Sequence, residues 1–264
     1  ASTLNKQHRV LRQIFQYAKK EQLIEVIPDI QDVPENNREA RRPSITASQY
    51  NKLLKHFRDK YENENQPTLQ RIYQRLAYLW IVTIDATGIR PFKDEKNALK
   101  WEHIHRNLND DGSVKSILIS RTEKGKTYEA LADAHWSAIY DDLKQIHTMW
   151  EMDSEYVFAH PLTVEARKIY KNEPIKNFRG QWRRAMESLG YAAKGAKQQD
   201  RISPYSIRHR YISRRMLINK DIRIEELAQI VGSSPRMLFD IYWHFDSERK
   251  YEDLVAGGYE QNLE

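Results

Sequence analysis

The chain has 264 residues, 40% of them apolar and 30% charged, with a net charge of +6 and no cysteine. This composition is that of a globular chain, not a disordered one. Nine glycines and nine prolines are too few for an all-β protein of many tight turns, and the lack of cysteine excludes disulfides and thiolate metal sites and fits a reducing cytoplasm.

No apolar run approaches the roughly 20 residues that a membrane span needs; the longest is Leu76 to Ile84. No segment reads as a secretory leader. The charge is unevenly placed. Residues 250–264 hold one lysine against four acids, a net of −3, which leaves +9 on residues 1–249. A basic body with an acidic tail suits a partner that is a polyanion, although many soluble proteins carry a solvated basic surface.

In chain order, Leu4, Val10, Leu11, Ile14, Phe15 and Ala18 recur at helical spacing and predict an amphipathic helix over 3–24. The sequence opens directly into this helix, so preceding residues are expected in the natural protein. Pro28, Pro34 and Pro43 mark a linker that ends in a basic strap, Arg38-Glu39-Ala40-Arg41-Arg42. Thr46 is the expected N-cap of a helix running to Phe57. A longer helix spans about 69–86 and stops at Thr87-Gly88. Residues 97–105 read as a helical turn leading into a loop. Val114–Ser120 and Thr127–Leu131 alternate and pair as a hairpin around Glu123-Lys124-Gly125-Lys126. Helices are expected over about 135–150, 163–170, 175–189, 204–218, 222–231 and 235–245. The fold class is therefore mainly α with one small antiparallel β-sheet, α+β. Its expected parts are a helical fragment (1–30), a basic linker (31–44), a main domain (45–249) and a tail (250–264).

Four short motifs carry the chemistry. Thr87-Gly88-Ile89-Arg90 ends the long helix. Lys124 sits in the hairpin turn, with Lys126 two residues on. Tyr205-Ser206-Ile207-Arg208-His209 opens a late helix. Gly232-Ser233-Ser234 precedes Tyr242 by nine residues counted from Ser233. Each motif alone has an ordinary explanation: a helix-end arginine is commonly a solvated charge, an exposed turn often holds lysine, and one tyrosine of 15 is by default a core residue. Together they supply two permanently charged planar forks for phosphate oxygens, a proton donor and a nucleophile.

The constellation resembles the tyrosine recombinase (phage integrase) family, in particular the integrases of bacterial genomic islands and conjugative elements. The resemblance extends over nearly the whole chain. It implies a tyrosine recombinase catalytic domain preceded by part of a helical core-binding domain. It implies that Arg90 and Arg208 grip the scissile phosphate, that Lys124 protonates the 5′-oxygen leaving group, and that Tyr242 forms a 3′-phosphotyrosyl bond. Because bond energy is stored in that linkage, religation needs no ATP, metal or other cofactor. Tyr205 stands where the family usually has histidine, and Ser233 where it has histidine or tryptophan. The hydroxyl of Ser233 still donates to a phosphate oxygen, whereas a phenol is a poor base at neutral pH. Asp94 or Glu95 is the expected buttressing acid. Arg38, Arg41, Arg42, Lys126, His209 and Arg236 are the expected DNA contacts. Expected partners are double-stranded DNA at element ends and target site, other copies in a homotetramer working through a Holliday junction, and a DNA-bending accessory protein; the expected location is the bacterial cytoplasm, at the nucleoid. The tail beyond Tyr242 is expected to contact a neighbouring subunit.

His209 and His244 do not make a metal site, since no His-x-x-x-His pair or cysteine accompanies them. Trp80, Trp101, Trp136 and Trp182 are expected in the core. Two other readings share the motifs: a relaxing enzyme like the type IB topoisomerases, and a DNA-binding relative without activity.

Overall fold

The computed structural model describes residues 2–33, 44–91, 98–123, 126–132, 136–191, 201–218 and 222–242. The chain divides into two compact units, residues 1–41 and 42–264.

In the first unit, α1 (Ser2–Lys20) carries its apolar residues at helical spacing. The helix is closed off at Gln22, two residues past its end, where a φ of 57° lets the N–H groups of Gln22 and Leu23 bond back to Lys19 and Ala18. The following segment then returns along the helix. Asn5 exchanges two hydrogen bonds with the Val33 backbone, and Arg12 donates to the Ile30 carbonyl and to Asp32. Several apolar side chains stay exposed, Ile14 and Tyr17 among them.

In the second unit, Thr46 caps α2 (Ala47–Glu62) through a reciprocal pair: Thr46 Oγ1 accepts from the Gln49 N–H, and Gln49 Oε1 accepts from the Thr46 N–H. Tyr50, Leu53 and Phe57 line the buried face of α2. It packs on α3 (Thr68–Thr87), which is apolar on nearly every side from Leu76 onward and forms the centre of the domain. A 3-10 turn (Trp101–His103) leads into a three-stranded antiparallel sheet of β1 (Ile104–Leu108), β2 (Val114–Glu123) and β3 (Lys126–Ala132), in the order β1-β2-β3. Ile117 and Ile119 on β2, with Ala130 and Ala132 on β3, face the core, so the register Ile117↔Ala132 and Ile119↔Ala130 is fixed by burial. Helices α4 (Trp136–Met149), α5 (Arg179–Ser188), α6 (Pro204–Ile218), α7 (Ile224–Ile230) and α8 (Pro235–Tyr242) complete the domain. Tyr211 and Ile212 of α6 form a second apolar cluster with Leu227, Ala228, Val231 and Leu238. No helix among the described residues is long and apolar enough to cross a membrane.

The structure is thus mainly helical with a small antiparallel sheet, as the sequence predicts, but three elements differ. Residues 163–170 are not a helix. Val164 and Ile169 form an isolated antiparallel bridge around a single 3-10 turn, with Lys168 and Asn172 at positive φ. Helix α5 begins at Arg179, because Ile175 instead bonds back to the Phe158 carbonyl in extended form. β1 is a strand that the sequence does not announce. Of the four tryptophans expected in the core, Trp80, Trp136 and Trp182 are buried. Trp101 is half-buried, with the Lys144 ammonium 3.7 Å from its ring centroid.

Candidate functional site

Three chain segments far apart in sequence meet at the C-terminal end of α3. Gly88 ends that helix at φ 64°, and its N–H bonds to the Ile84 carbonyl. Two needs coincide there. The left-handed conformation favours glycine, and a Cβ would lie 2.3 Å from Cδ1 of Tyr211 on α6. Backbone and ring can approach this closely only because the side chain is absent.

Arg90, two residues on and half-buried, donates to the Gly232 carbonyl at 2.5 Å. Arg208, on the second turn of α6 and buried, donates through one Nη to the Gly88 carbonyl and through the other to the Val231 carbonyl, each at 2.5 Å. The two guanidiniums therefore converge on consecutive carbonyls of one turn. These bonds bring two permanent positive charges to one turn, an arrangement chemically suited to an anion such as a phosphate.

That turn is itself built to a strict pattern. The Ser233 N–H bonds to Ala228 and the Gly232 N–H to Gln229, with Gly232 at φ 61°. This is the Schellman closure of α7. Ser234 then accepts from the Met237 N–H and starts α8, with Pro235 in the first helical position. Tyr242 is the last described residue of α8. A Cβ on Gly232 would stand 2.6 Å from Cδ1 of Tyr128 on β3. Strand β3 is thereby seated, through Tyr128, on the turn that launches α8.

The structure places the other sequence candidates as follows. Tyr205 is half-buried at the start of α6, three residues before Arg208 and so on the same helical face. Ser233 is half-buried in the carbonyl turn, and His209 is half-buried beside Arg208 on α6. Arg236 is exposed in the first turn of α8. The Lys126 backbone pairs with Glu123 at the mouth of the hairpin. Arg38, Arg41, Arg42, Asp94, Glu95, Lys124, His244 and the tail lie outside the described residues. Among the described residues no cluster of histidine and acids could hold a metal ion.

Sequence reasoning missed a buried carboxylate three residues before Gly88. Asp85, in the last turn of α3, is 0% exposed. Both its oxygens accept from Arg210 Nη1, at 2.7 and 2.8 Å, and one also accepts from Arg214 at 3.2 Å. The Arg210 guanidinium lies 4.2 Å from the ring centroid of Tyr50 on α2. The signal was present in the sequence: one acid inside the most apolar helix, and two arginines four residues apart in another.

No protein-family model matches the chain, and no curated protein matches it. Solved structures do. The Tn1549 transposon integrase in complex with circular intermediate DNA aligns over 97% of this chain and 78% of its own, at 18% identity and a TM-score of 0.57. A lambda integrase dimer bound to a COC′ core site aligns over 92% and 73%, at 18% identity and 0.49. The XerH site-specific recombinase bound to difH substrate aligns over 78% of this chain and 51% of its own, at 17% identity and 0.49. This chain thus spans about half the length of the XerH chain. At such identities the likeness is one of fold: the α+β architecture is that of a tyrosine recombinase catalytic domain.

Proposed function

We propose that this chain is the catalytic part of a site-specific DNA recombinase that integrates and excises a mobile element through a 3′-phosphotyrosyl intermediate. The observation that carries the reading is the meeting of Arg90 and Arg208 on the Val231-Gly232 turn from which the helix of Tyr242 departs. The hydrogen bonds of Arg90 and Arg208 to consecutive carbonyls of that turn support the reading. The shared fold with an integrase captured on its transposon's circular DNA supports the same reading.

In this mechanism the two guanidiniums hold the scissile phosphate. The Tyr242 oxygen forms a bond to phosphorus as the bond from phosphorus to the 5′-oxygen breaks. Lys124 gives a proton to that departing oxygen, and a 5′-hydroxyl of another strand reverses the step to rejoin the DNA. Neighbouring positive charge favours the phenolate character that an ordinary tyrosine, with a pKa of about 10, lacks at neutral pH. On this reading residues 1–30 are the end of a core-binding domain, residues 31–44 are a basic linker laid along the phosphate backbone, and the residues past 249 reach a neighbouring subunit. The working assembly is a homotetramer on two duplexes in the bacterial cytoplasm, with a DNA-bending protein as helper.

The test is covalent trapping on nicked duplexes bearing the element's end sequences, with Tyr242→Phe alongside. A protein–DNA adduct that disappears in the variant supports the proposal. Tight binding with no adduct from the parent chain favours an inactive relative instead, which the substitutions at Tyr205 and Ser233 would then explain. Relaxation of plasmids that lack any element sequence favours a topoisomerase-like enzyme.

A further inference from the structure

Asp85 carries a feature that the strand-transfer reading does not use: a buried carboxylate with two arginine partners, directly behind the phosphate clamp. We infer that Asp85 is a positioning residue, which through Arg210 and Arg214 sets the rotation and height of α6 against α3 and so the span between Arg90 and Arg208. The inference rests on that reading for its catalytic consequence but not for its geometry.

Helix α6 is tied to the end of α3 at two levels. Arg208 bonds to the Gly88 carbonyl, and Arg210 and Arg214 bond to Asp85 three residues earlier. Three residues of helix rise correspond to about 4.5 Å. One attachment would leave α6 free to roll about it; two at different heights do not. Arg210 and Arg214 are four residues apart and share a face, while Arg208, two residues before Arg210, reaches both the Gly88 and the Val231 carbonyls. The roll that satisfies Asp85 is therefore the roll that aims Arg208 at the clamp. The Tyr50 ring lies against the Arg210 guanidinium, and the Tyr211 ring lies against Gly88. A buried ion pair contributes little to net stability compared with apolar residues of the same volume, and its better-attested use is to fix register.

The experiment separates positioning from bulk stability. Removing one partner leaves a charge buried, and Asp85→Asn alone can simply unfold. The variant of choice is therefore Asp85→Asn with Arg210→Met, which nearly keeps volume and removes the buried Asp85–Arg210 pair, leaving Arg214, the more exposed of the two arginines. Two readouts are taken on the whole chain: the rate of covalent adduct formation on nicked element-end DNA, and the Nε–H resonances of Arg90 and Arg208 in nitrogen-15-labelled protein without DNA. A variant that melts near the parent, shows moved Arg208 and Arg90 resonances and forms adduct on the order of a hundredfold more slowly supports the inference, since displacement by about 1 Å is enough for such a loss. Parental resonances and a parental rate overturn it. A parent that forms no adduct, with resonances that still move in the variant, sinks the strand-transfer reading and leaves the positioning role standing. Unmoved resonances with no parental adduct sink both.

Discussion

Gly88→Ala tests the assembly at its tightest point. The substitution adds one methyl group, and two costs follow from the structure. At φ 64° an alanine sits in the left-handed region, which costs about 1–2 kcal/mol. The new Cβ would also stand 2.3 Å from Tyr211 Cδ1 and 2.4 Å from Cε1. Ordinary contact needs more than 3.4 Å, so the ring or the backbone must give by about 1 Å in a packed region, a further 1–3 kcal/mol or so. The expected total is about 2–5 kcal/mol. Gly112 isolates the first term, because its φ is 81° and nothing lies within 4 Å of its Cβ position. Urea unfolding of parent, Gly88→Ala and Gly112→Ala, followed by tryptophan fluorescence, gives both values. The difference between the two variants reports the contact with Tyr211, and Tyr211→Ala should erase that difference. Equal losses at Gly88 and Gly112 would refute the claim that ring and backbone meet without room to spare.

The other predictions concern the core, the pH response and the DNA interface. Trp136 donates to Thr83 Oγ1 at 3.0 Å in a fully buried setting; Thr83→Val should cost about 1–3 kcal/mol, and Thr83→Val with Trp136→Phe less than the two single losses added, as read by urea unfolding. Burial, as the first cause, lowers the pKa of His147, His160, His103 and His56 below their ordinary 6.5. The unfolded chain then binds more protons than the folded one near that pH, so stability is full above it and declines as pH falls through it. Melting temperature should drop from about pH 7.5 to about pH 5.5, and more shallowly in His147→Gln; a flat parent profile would contradict the burial of these rings. On the proposed function, affinity for DNA should fall steeply with salt, and Arg236→Ala should weaken binding to all sequences while lowering the salt slope by about one. An unchanged slope removes Arg236 from the phosphate backbone.

What could be read from the sequence depended on how each residue acts. The capping of α2 by Thr46, the stop of α3 at Gly88 and the start of α6 at Pro204 are local effects of single residue types, and they stand where the pattern put them. β1 was illegible because it lies at the sheet edge with all but its first residue exposed, so Ile104-His105-Arg106-Asn107-Leu108 shows no apolar alternation. The 163–170 segment misled because Lys168 and Asn172 adopt positive φ without being glycine, held there by surroundings no local reading contains. Arg90 and Arg208 were visible as parts of motifs. Their anchoring to the Gly88, Val231 and Gly232 carbonyls was not, because carbonyls are common to every residue and leave no mark in a sequence. Asp85 was passed over for a related reason: its meaning lies in Arg210, 125 residues away.

Those separations have a temporal side. At about 5–20 residues per second of synthesis, the carbonyl of Gly88 waits on the order of ten seconds for Arg208, which follows it by 120 residues, and Arg90 waits longer for the Gly232 carbonyl, 142 residues on. Over that interval Asp85 lacks the two arginines that bond it in the finished domain, because Arg210 and Arg214 are not yet made. The set of carbonyls that holds Arg90 and Arg208 is complete only once residue 232 has been made.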